Sequence, residues 1–75
     1  MKDLIGKTAV IVGSSPHSGE LVIIKALGER ITVAPKYSKD FAEAYLPPDN
    51  LRLVPPDADE VLAQEVRDLL PKIVA

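Results

Sequence analysis

The amino-acid sequence predicts a mainly β protein, a small five-stranded antiparallel barrel followed by one C-terminal α-helix. Short β-branched runs recur through residues 1–54, with glycine and proline turns between them. Pro55 and Pro56 then end the strand pattern, because two prolines cannot continue a strand ladder or a helix. Beyond them, apolar residues recur at the period of a helix. We therefore divide the chain into a barrel at residues 1–54 and a helical segment at residues 55–75, within a single domain.

Three strands are predicted in the first half of the chain. Residues 8–12 are rich in β-branched side chains and lie between two glycines. Residues 21–26 follow the turn-forming loop GSSPHSG, and residues 31–34 follow a turn at Gly28. Two short β-branched runs with a glycine turn between them are typical of a β-hairpin.

The second half of the barrel is less regular. The segment DFAEAY at residues 40–45 predicts one short helical turn. A proline-containing turn at residues 47–50 then leads into a last strand at residues 51–54, where apolar and polar residues alternate. We expect Phe41 and Tyr45 to fold inward and plug the end of the barrel, because the rest of the core is aliphatic.

A helix is predicted at residues 58–70, where Asp57 and Glu60 have the spacing of a capping box. Its apolar stripe needs a surface to cover it, since an isolated helix of this length is marginal in water. We expect that surface to be the outer side of strand 21–26, which is apolar on both sides, or a second copy of the chain. The residues expected to make the contact are Leu62, Val66 and Leu69.

An α/β fold is the alternative interpretation. Residues 6–34 also look like the opening of a dinucleotide-binding βαβ unit, with a helix at residues 18–27. The glycine pattern of that unit is incomplete here, and the four consecutive apolar residues at 21–24 would cover more than half of the helix circumference. A chain of 75 residues is also too short for a doubly wound sheet.

Composition narrows the classes of function. The net charge of −2 disfavours a strongly basic nucleic-acid binder. The chain has no cysteine, which excludes disulfides and thiolate metal sites. No apolar run approaches the roughly 20 residues of a membrane helix or the roughly 7 of a signal-peptide core. We therefore expect a cytoplasmic protein that makes no membrane contact.

Residues 5–54 resemble the SH3-like small β-barrels, including the KOW-type modules. The resemblance lies in the first strand GKTAVIV, the loop GSSPHSG, the hairpin ELVIIKALGERITVA and the closing phrase YLPPDNLRLV. Barrels of this kind end with a turn and a short strand. The resemblance implies a binding or accessory module rather than an enzyme, although a fold alone does not assign a function.

The sequence contains no catalytic or metal-binding constellation that we recognise. His17 is the single histidine, and we expect it to be solvated in its loop, without the cysteines or paired acids that a metal site or a catalytic dyad needs. Ser14, Ser15 and Ser18 are interpreted as turn formers because no base accompanies them. We expect no enzymatic activity and no cofactor.

The segment from Pro35 to Phe41 gives the sharpest indication of binding. It combines two lysines with aromatic residues, which suits contact with a partner surface or stacking on bases. Arg52 is expected to project outward from the last strand and to extend this set into a modest basic patch. The predicted partner-binding residues are Lys36, Tyr37, Lys39 and Arg52.

The leading hypothesis is a non-enzymatic binding module or accessory subunit that contacts another protein, with a homodimer as one form of that contact. The alternative is a KOW-like barrel that binds RNA or DNA weakly, and the second alternative is a minimal α/β nucleotide-binding unit. Salt dependence separates the first two, because nucleic-acid binding weakens steeply as salt rises. A thermal-shift assay with dinucleotides tests the third.

Overall fold

The structure, a computed structural model, describes residues 2–73. One antiparallel sheet dominates it, and a short helical segment packs on one face of that sheet. Short 3₁₀ turns at Lys2–Leu4, Pro48–Asn50 and Arg67–Leu69 connect or flank the main elements. The strands and the α-helix are β1 (Thr8–Ile11), β2 (Leu21–Ala26), β3 (Ile31–Pro35), β4 (Ala44–Leu46), β5 (Leu51–Leu53) and α1 (Glu60–Glu65).

The five strands lie in the order β4-β3-β2-β1-β5, and every neighbouring pair is antiparallel. The prediction of a mainly β fold with five antiparallel strands is confirmed, and four strands lie within one residue of their predicted bounds. The two edge strands, β4 and β5, do not pair with each other within residues 2–73. The sheet is therefore open, and the predicted closed barrel is not confirmed.

The strand β4 replaces the helical turn predicted at residues 40–45. Its backbone pairs with β3, with Ala44 opposite Val33 and Leu46 opposite Ile31. Ala44 and Leu46 also pack against the buried apolar cluster that contains Val33 and Ile31. The prediction was wrong because it weighed local helix propensity, whereas the strand gains both ladder hydrogen bonds and apolar contact.

The α/β alternative is also wrong, because residues 21–26 form the strand β2 and not part of a helix. This strand lies at the centre of the sheet, between β1 and β3. Val22 and Ile24 are fully buried on one face, and Leu21 is buried on the other. A central strand covered on both faces explains the run of apolar residues that a helix would have left partly exposed.

The two faces of the sheet carry two separate apolar clusters. The inner cluster has buried residues from β1, β2, β3 and β5, and the partly buried Ala44 and Leu46 of β4 pack against it. Its buried members are Ala9, Ile11, Val22, Ile24, Ile31, Val33, Leu51 and Ile73. The outer cluster joins the sheet to the chain after Pro55, and its buried members are Val10, Val12, Leu21, Val54 and Ala63. We call residues 55–73 the tail. Its contact with the outer face makes it part of the folded unit.

The helix in the tail is shorter than predicted and begins later. Its N-cap is Asp59, whose side chain accepts a hydrogen bond from the backbone N–H of Leu62 at 3.1 Å. Asp57 does not take this role, because a turn closed by the Ala58 N–H on the Pro55 carbonyl holds it before the helix. The α-helix covers six residues and gives way to the 3₁₀ turn Arg67–Leu69 before Pro71.

Two of the three predicted docking residues of the helix, Leu62 and Leu69, are wrong, and the third, Val66, is half-buried. Leu62 is 55% exposed and Leu69 is 83% exposed, whereas Ala63 is buried against the sheet. Two polar side chains fix this rotation of the helix: Glu60 bonds Lys36, and the Gln64 amide donates to the Gly19 carbonyl at 2.8 Å. Glu60, Ala63 and Gln64 have the i, i+3, i+4 spacing of one helix face, so this face meets the sheet and the larger apolar side chains of Val61 and Leu62 turn toward solvent.

Within residues 2–73 no helix has the length and the apolar character to cross a membrane.

Candidate interaction site

The end of β3 and the start of α1 meet at one site on the outer face of the sheet. The backbone N–H of Lys36 bonds the Leu21 carbonyl at 3.0 Å, which extends the β2–β3 ladder by one residue beyond Pro35. Lys36 therefore lies on the same face as Leu21. This is the face that the tail covers, so the register of the sheet brings Lys36 to the first residue of the helix, Glu60.

Glu60 is the centre of a three-residue clamp between tail and sheet. One carboxylate oxygen, Oε2, forms an ion pair with Lys36 Nζ, and the other, Oε1, accepts a hydrogen bond from the Tyr37 hydroxyl at 2.5 Å. Lys36 Nζ also donates to Thr8 Oγ1 at 3.0 Å and lies 5.5 Å from the centre of the Tyr37 ring. We call Lys36, Tyr37 and Glu60 the clamp.

The hydrogen bonds of the clamp favour the protonation states that its three side chains have near neutral pH. The hydrogen bond from Lys36, and then that from Tyr37, keep the pKa of Glu60 below its ordinary value. The hydrogen bond to Glu60 raises the pKa of Lys36, and it also raises the pKa of Tyr37. A group that must exchange a proton during catalysis needs a pKa near the working pH. These shifts move all three groups away from that range, so the clamp is suited to positioning rather than to acid–base chemistry.

Tyr37 is exposed and anchored at the same time. Its side chain is 66% exposed, yet its hydroxyl is fixed on Glu60. Two further exposed apolar residues, Val61 and Leu62, follow Glu60 directly in the helix. We call Tyr37, Val61 and Leu62 the contact surface. It presents to solvent one aromatic ring, at the end of β3, and two aliphatic side chains, from the first turn of α1.

A cleft lies beside the clamp, between the start of β1 and the start of the tail. Its volume is about 470 Å³. Its lining combines polar side chains from the sheet and the clamp with an apolar stretch of the tail, and it comprises Gly6, Lys7, Thr8, Lys36, Val54, Pro55, Pro56, Ala58 and Glu60.

The four predicted partner-binding residues lie in different surroundings. Lys36 and Tyr37 belong to the clamp, and Lys39 is exposed in the loop after them. Arg52 is half-buried, and its Nη1 donates to the carbonyls of Asp68 and Leu70, at 3.0 and 3.1 Å. The cations of Lys36 and Arg52 therefore both bind the tail of the same chain.

The remaining aromatic residues and the histidine differ in part from expectation. Phe41 is half-buried and packs against the inner cluster, as predicted. Tyr45 was expected beside it but is 59% exposed, because its place in β4 is opposite Thr32, which lies on the outer face. His17 is not fully solvated: its ring stacks on Phe41 with centroids 4.2 Å apart.

Sequence reasoning missed Thr8 and Val61 as residues of the site, and it gave Glu60 and Leu62 different roles. Glu60 was assigned to a capping box, and its contact with Lys36 spans 24 positions of the chain. No local pattern encodes a contact of that range. Within residues 2–73, no three His, Asp or Glu side chains are grouped so that they could hold a metal ion.

Comparisons of the chain with protein-family models, with curated proteins and with solved structures give no match.

Proposed function

We propose that this protein is a non-enzymatic interaction module, or an accessory subunit, that binds a protein partner through the contact surface. The observation that carries the proposal is the state of Tyr37, an exposed aromatic ring whose hydroxyl is already held by Glu60. Tyrosine is enriched among the residues that dominate binding energy. A ring that is fixed before binding loses little conformational entropy when a partner covers it.

The exposed residues that follow Glu60 in α1 support a protein partner rather than a nucleic acid. Val61 and Leu62 add aliphatic area, which a protein surface can bury and a phosphate backbone cannot. The tail also has a net charge of −3, from five acidic and two basic residues. A partner with an apolar centre and a basic rim matches this surface, whereas the charge repels RNA and DNA.

The SH3-like architecture is part of the proposal. It is supported by the 3₁₀ turn Pro48–Asn50, which leads directly into the short last strand β5. A rigid sheet that presents binding residues from its loops and termini is a common arrangement in small binding modules.

The test is affinity capture from the native cell followed by measurement of the dissociation constant. Three forms of the chain serve as bait: the unchanged chain, Tyr37→Ala and Tyr45→Ala. Tyr45 is the matched control, because it is a similarly exposed tyrosine on the outer face that contacts neither Glu60 nor the tail helix in any described interaction. The captures are made with and without nuclease.

We expect one protein to be retained by the unchanged chain and by Tyr45→Ala, with nuclease having no effect. Tyr37→Ala should weaken its binding by about tenfold or more, since loss of a hot-spot residue costs at least about 1.4 kcal/mol. A second copy of this chain as the captured protein would identify the interaction as a homodimer. Equal binding by both variants, or a complex that nuclease removes, would contradict the proposal.

A further inference from the structure

We propose that the cleft beside the clamp is a binding site for a small organic oxyanion, a carboxylate or a phosphate with a short apolar body. This site is separate from the contact surface: of the clamp residues it uses Lys36 and Glu60, and it uses neither Val61 nor Leu62. Its volume of about 470 Å³ is within the usual range for small-molecule sites.

Hydrogen-bond donors dominate the polar part of the cleft. A lysine ammonium has three N–H donors, and the bonds to Thr8 and Glu60 use two of those on Lys36. The Thr8 hydroxyl accepts from Lys36, which leaves its own proton free to donate. Lys7 is exposed at the same cleft, and no described residue pairs with its ammonium group.

The carboxylate of Glu60 does not cancel this character. Both of its oxygens already accept hydrogen bonds, one from Lys36 and one from Tyr37. Lys7 and Lys36 against Glu60 give the lining a net charge of +1, on a chain whose net charge is −2. The donors of Lys36 and Thr8 lie 3.0 Å apart, close enough to reach one oxyanion together, and Lys7 adds a second positive charge to the lining. Hydrogen bonds to ionised groups are the strongest class in proteins.

The other wall of the cleft is apolar and stiff. It consists of Val54, Pro55, Pro56 and Ala58. The proline rings fix the backbone, so that the wall keeps its shape without a ligand. Lys36 is held by Thr8 and Glu60 and is equally preorganised. A ligand with an anionic head and a short aliphatic body would use both walls.

The test is a titration of the isotope-labelled full chain followed by NMR. The probes are butyrate, its neutral counterpart butyramide, and inorganic phosphate. Butyrate or phosphate should shift the amide signals around residues 6–8 and 58–60 in a saturable way, with a Kd of about 1–10 mM. Butyramide should cause no saturable shift. A response to phosphate alone would assign the head group as phosphate, and a response to butyrate would assign it as carboxylate.

Variants connect the response to the cleft. Lys7→Gln should weaken binding of the anion by about tenfold, since it removes one charged hydrogen bond. Lys25→Gln is the matched control, because Lys25 is exposed and does not line the cleft. Leu62→Asp should leave anion binding unchanged, even where it abolishes capture of the protein partner. Absence of saturable shifts, equal binding of butyramide, or equal loss in both lysine variants would overturn the proposal.

Discussion

Leu51 and Leu69 have the same side chain and opposite surroundings. Leu51 is fully buried in the inner cluster, where it joins the edge strand β5 to the core. Leu69 is 83% exposed on the 3₁₀ turn of the tail. The free energy that each side chain contributes to folding depends on the apolar area that it removes from water. The two positions therefore give a direct comparison within one molecule.

Leu51→Ala should lower the free energy of unfolding by about 2–5 kcal/mol, because it removes buried methyl groups and leaves a cavity. Leu69→Ala should change it by less than about 0.5 kcal/mol. Urea denaturation of both variants measures the difference. If Leu69→Ala were as destabilising as Leu51→Ala, the tail would dock through its large apolar stripe after all.

Tyr37 and Phe41 give a second comparison, between an outward-facing and an inward-facing aromatic ring. Phe41→Ala should lower the free energy of unfolding by about 1–3 kcal/mol, since the ring is half-buried against the inner cluster and stacks on His17. Tyr37→Ala should leave the fold intact and affect partner binding instead. Thermal unfolding of both variants checks the assignment, and the reverse order of stability would show that inside and outside had been exchanged.

At the scale of elements, the clamp connects α1 to β3. Because the pKa of Glu60 is lowered in the folded state, Glu60 stabilises the fold at pH values above its ordinary pKa of 4.5. This contribution is lost as the pH falls through the pKa that Glu60 has in the folded chain. The raised pKa values of Lys36 and Tyr37 have the opposite pH dependence. Their contributions to stability are present at pH values below their ordinary pKa values of 10.5 and 10.0, respectively. These contributions are lost as the pH rises through the pKa values of the two groups in the folded chain.

Glu60→Gln should therefore lower the Tm at neutral pH, and its difference from the unchanged chain should vanish as the solution becomes acidic. The reason is that protonated glutamic acid and glutamine are both neutral partners for Lys36. The measurement is Tm from pH 3 to 8, a range set by the ordinary pKa of 4.5. Glu65→Gln, in the same helix and exposed, controls for removal of one charge. A difference that persists at the acidic end would contradict the assigned role of Glu60.

The strands and the helix differ in how far the sequence could predict them. β1, β2 and β3 were predictable because β-branched runs between turn residues specify them locally. The strand β4 was not, since Ala44–Leu46 becomes a strand only by pairing with β3. In the site, Tyr37 was recognisable as an exposed loop aromatic. The rotation of α1 was not recognisable, because its contacts from Glu60 and Gln64 reach Lys36 and Gly19 across 24 and 45 positions.

At the scale of the whole molecule, the tail completes the burial that a 75-residue chain needs. A chain this short buries only about 60–65% of the surface of its unfolded form. The tail covers the outer face through Ala58, Ala63 and Leu70, and it adds Ile73 to the inner cluster. It also protects the free edge of β5, where the Leu53 N–H bonds the Pro71 carbonyl at 2.9 Å.

Deletion of residues 57–75 should therefore abolish cooperative unfolding. The deletion exposes Val10, Val12 and Leu21 on the outer face and uncovers one sheet edge. Circular dichroism during heating measures the loss, with Leu62→Asp as a control that alters the tail only at an exposed position. A truncated chain that melts as sharply and at the same temperature as the full chain would show that the tail is dispensable for folding.

We propose that the partner is a protein and that it binds at the contact surface. Site-specific photo-crosslinking in the native cell examines this without removing Tyr37, with a benzophenone amino acid in place of the exposed Val61 and, separately, in place of Tyr45. We expect a discrete covalent adduct with one protein from position 61 and none of that adduct from position 45. An adduct with that protein from position 45 alone, or an adduct with nucleic acid from position 61, would show that the partner or its site is wrongly assigned.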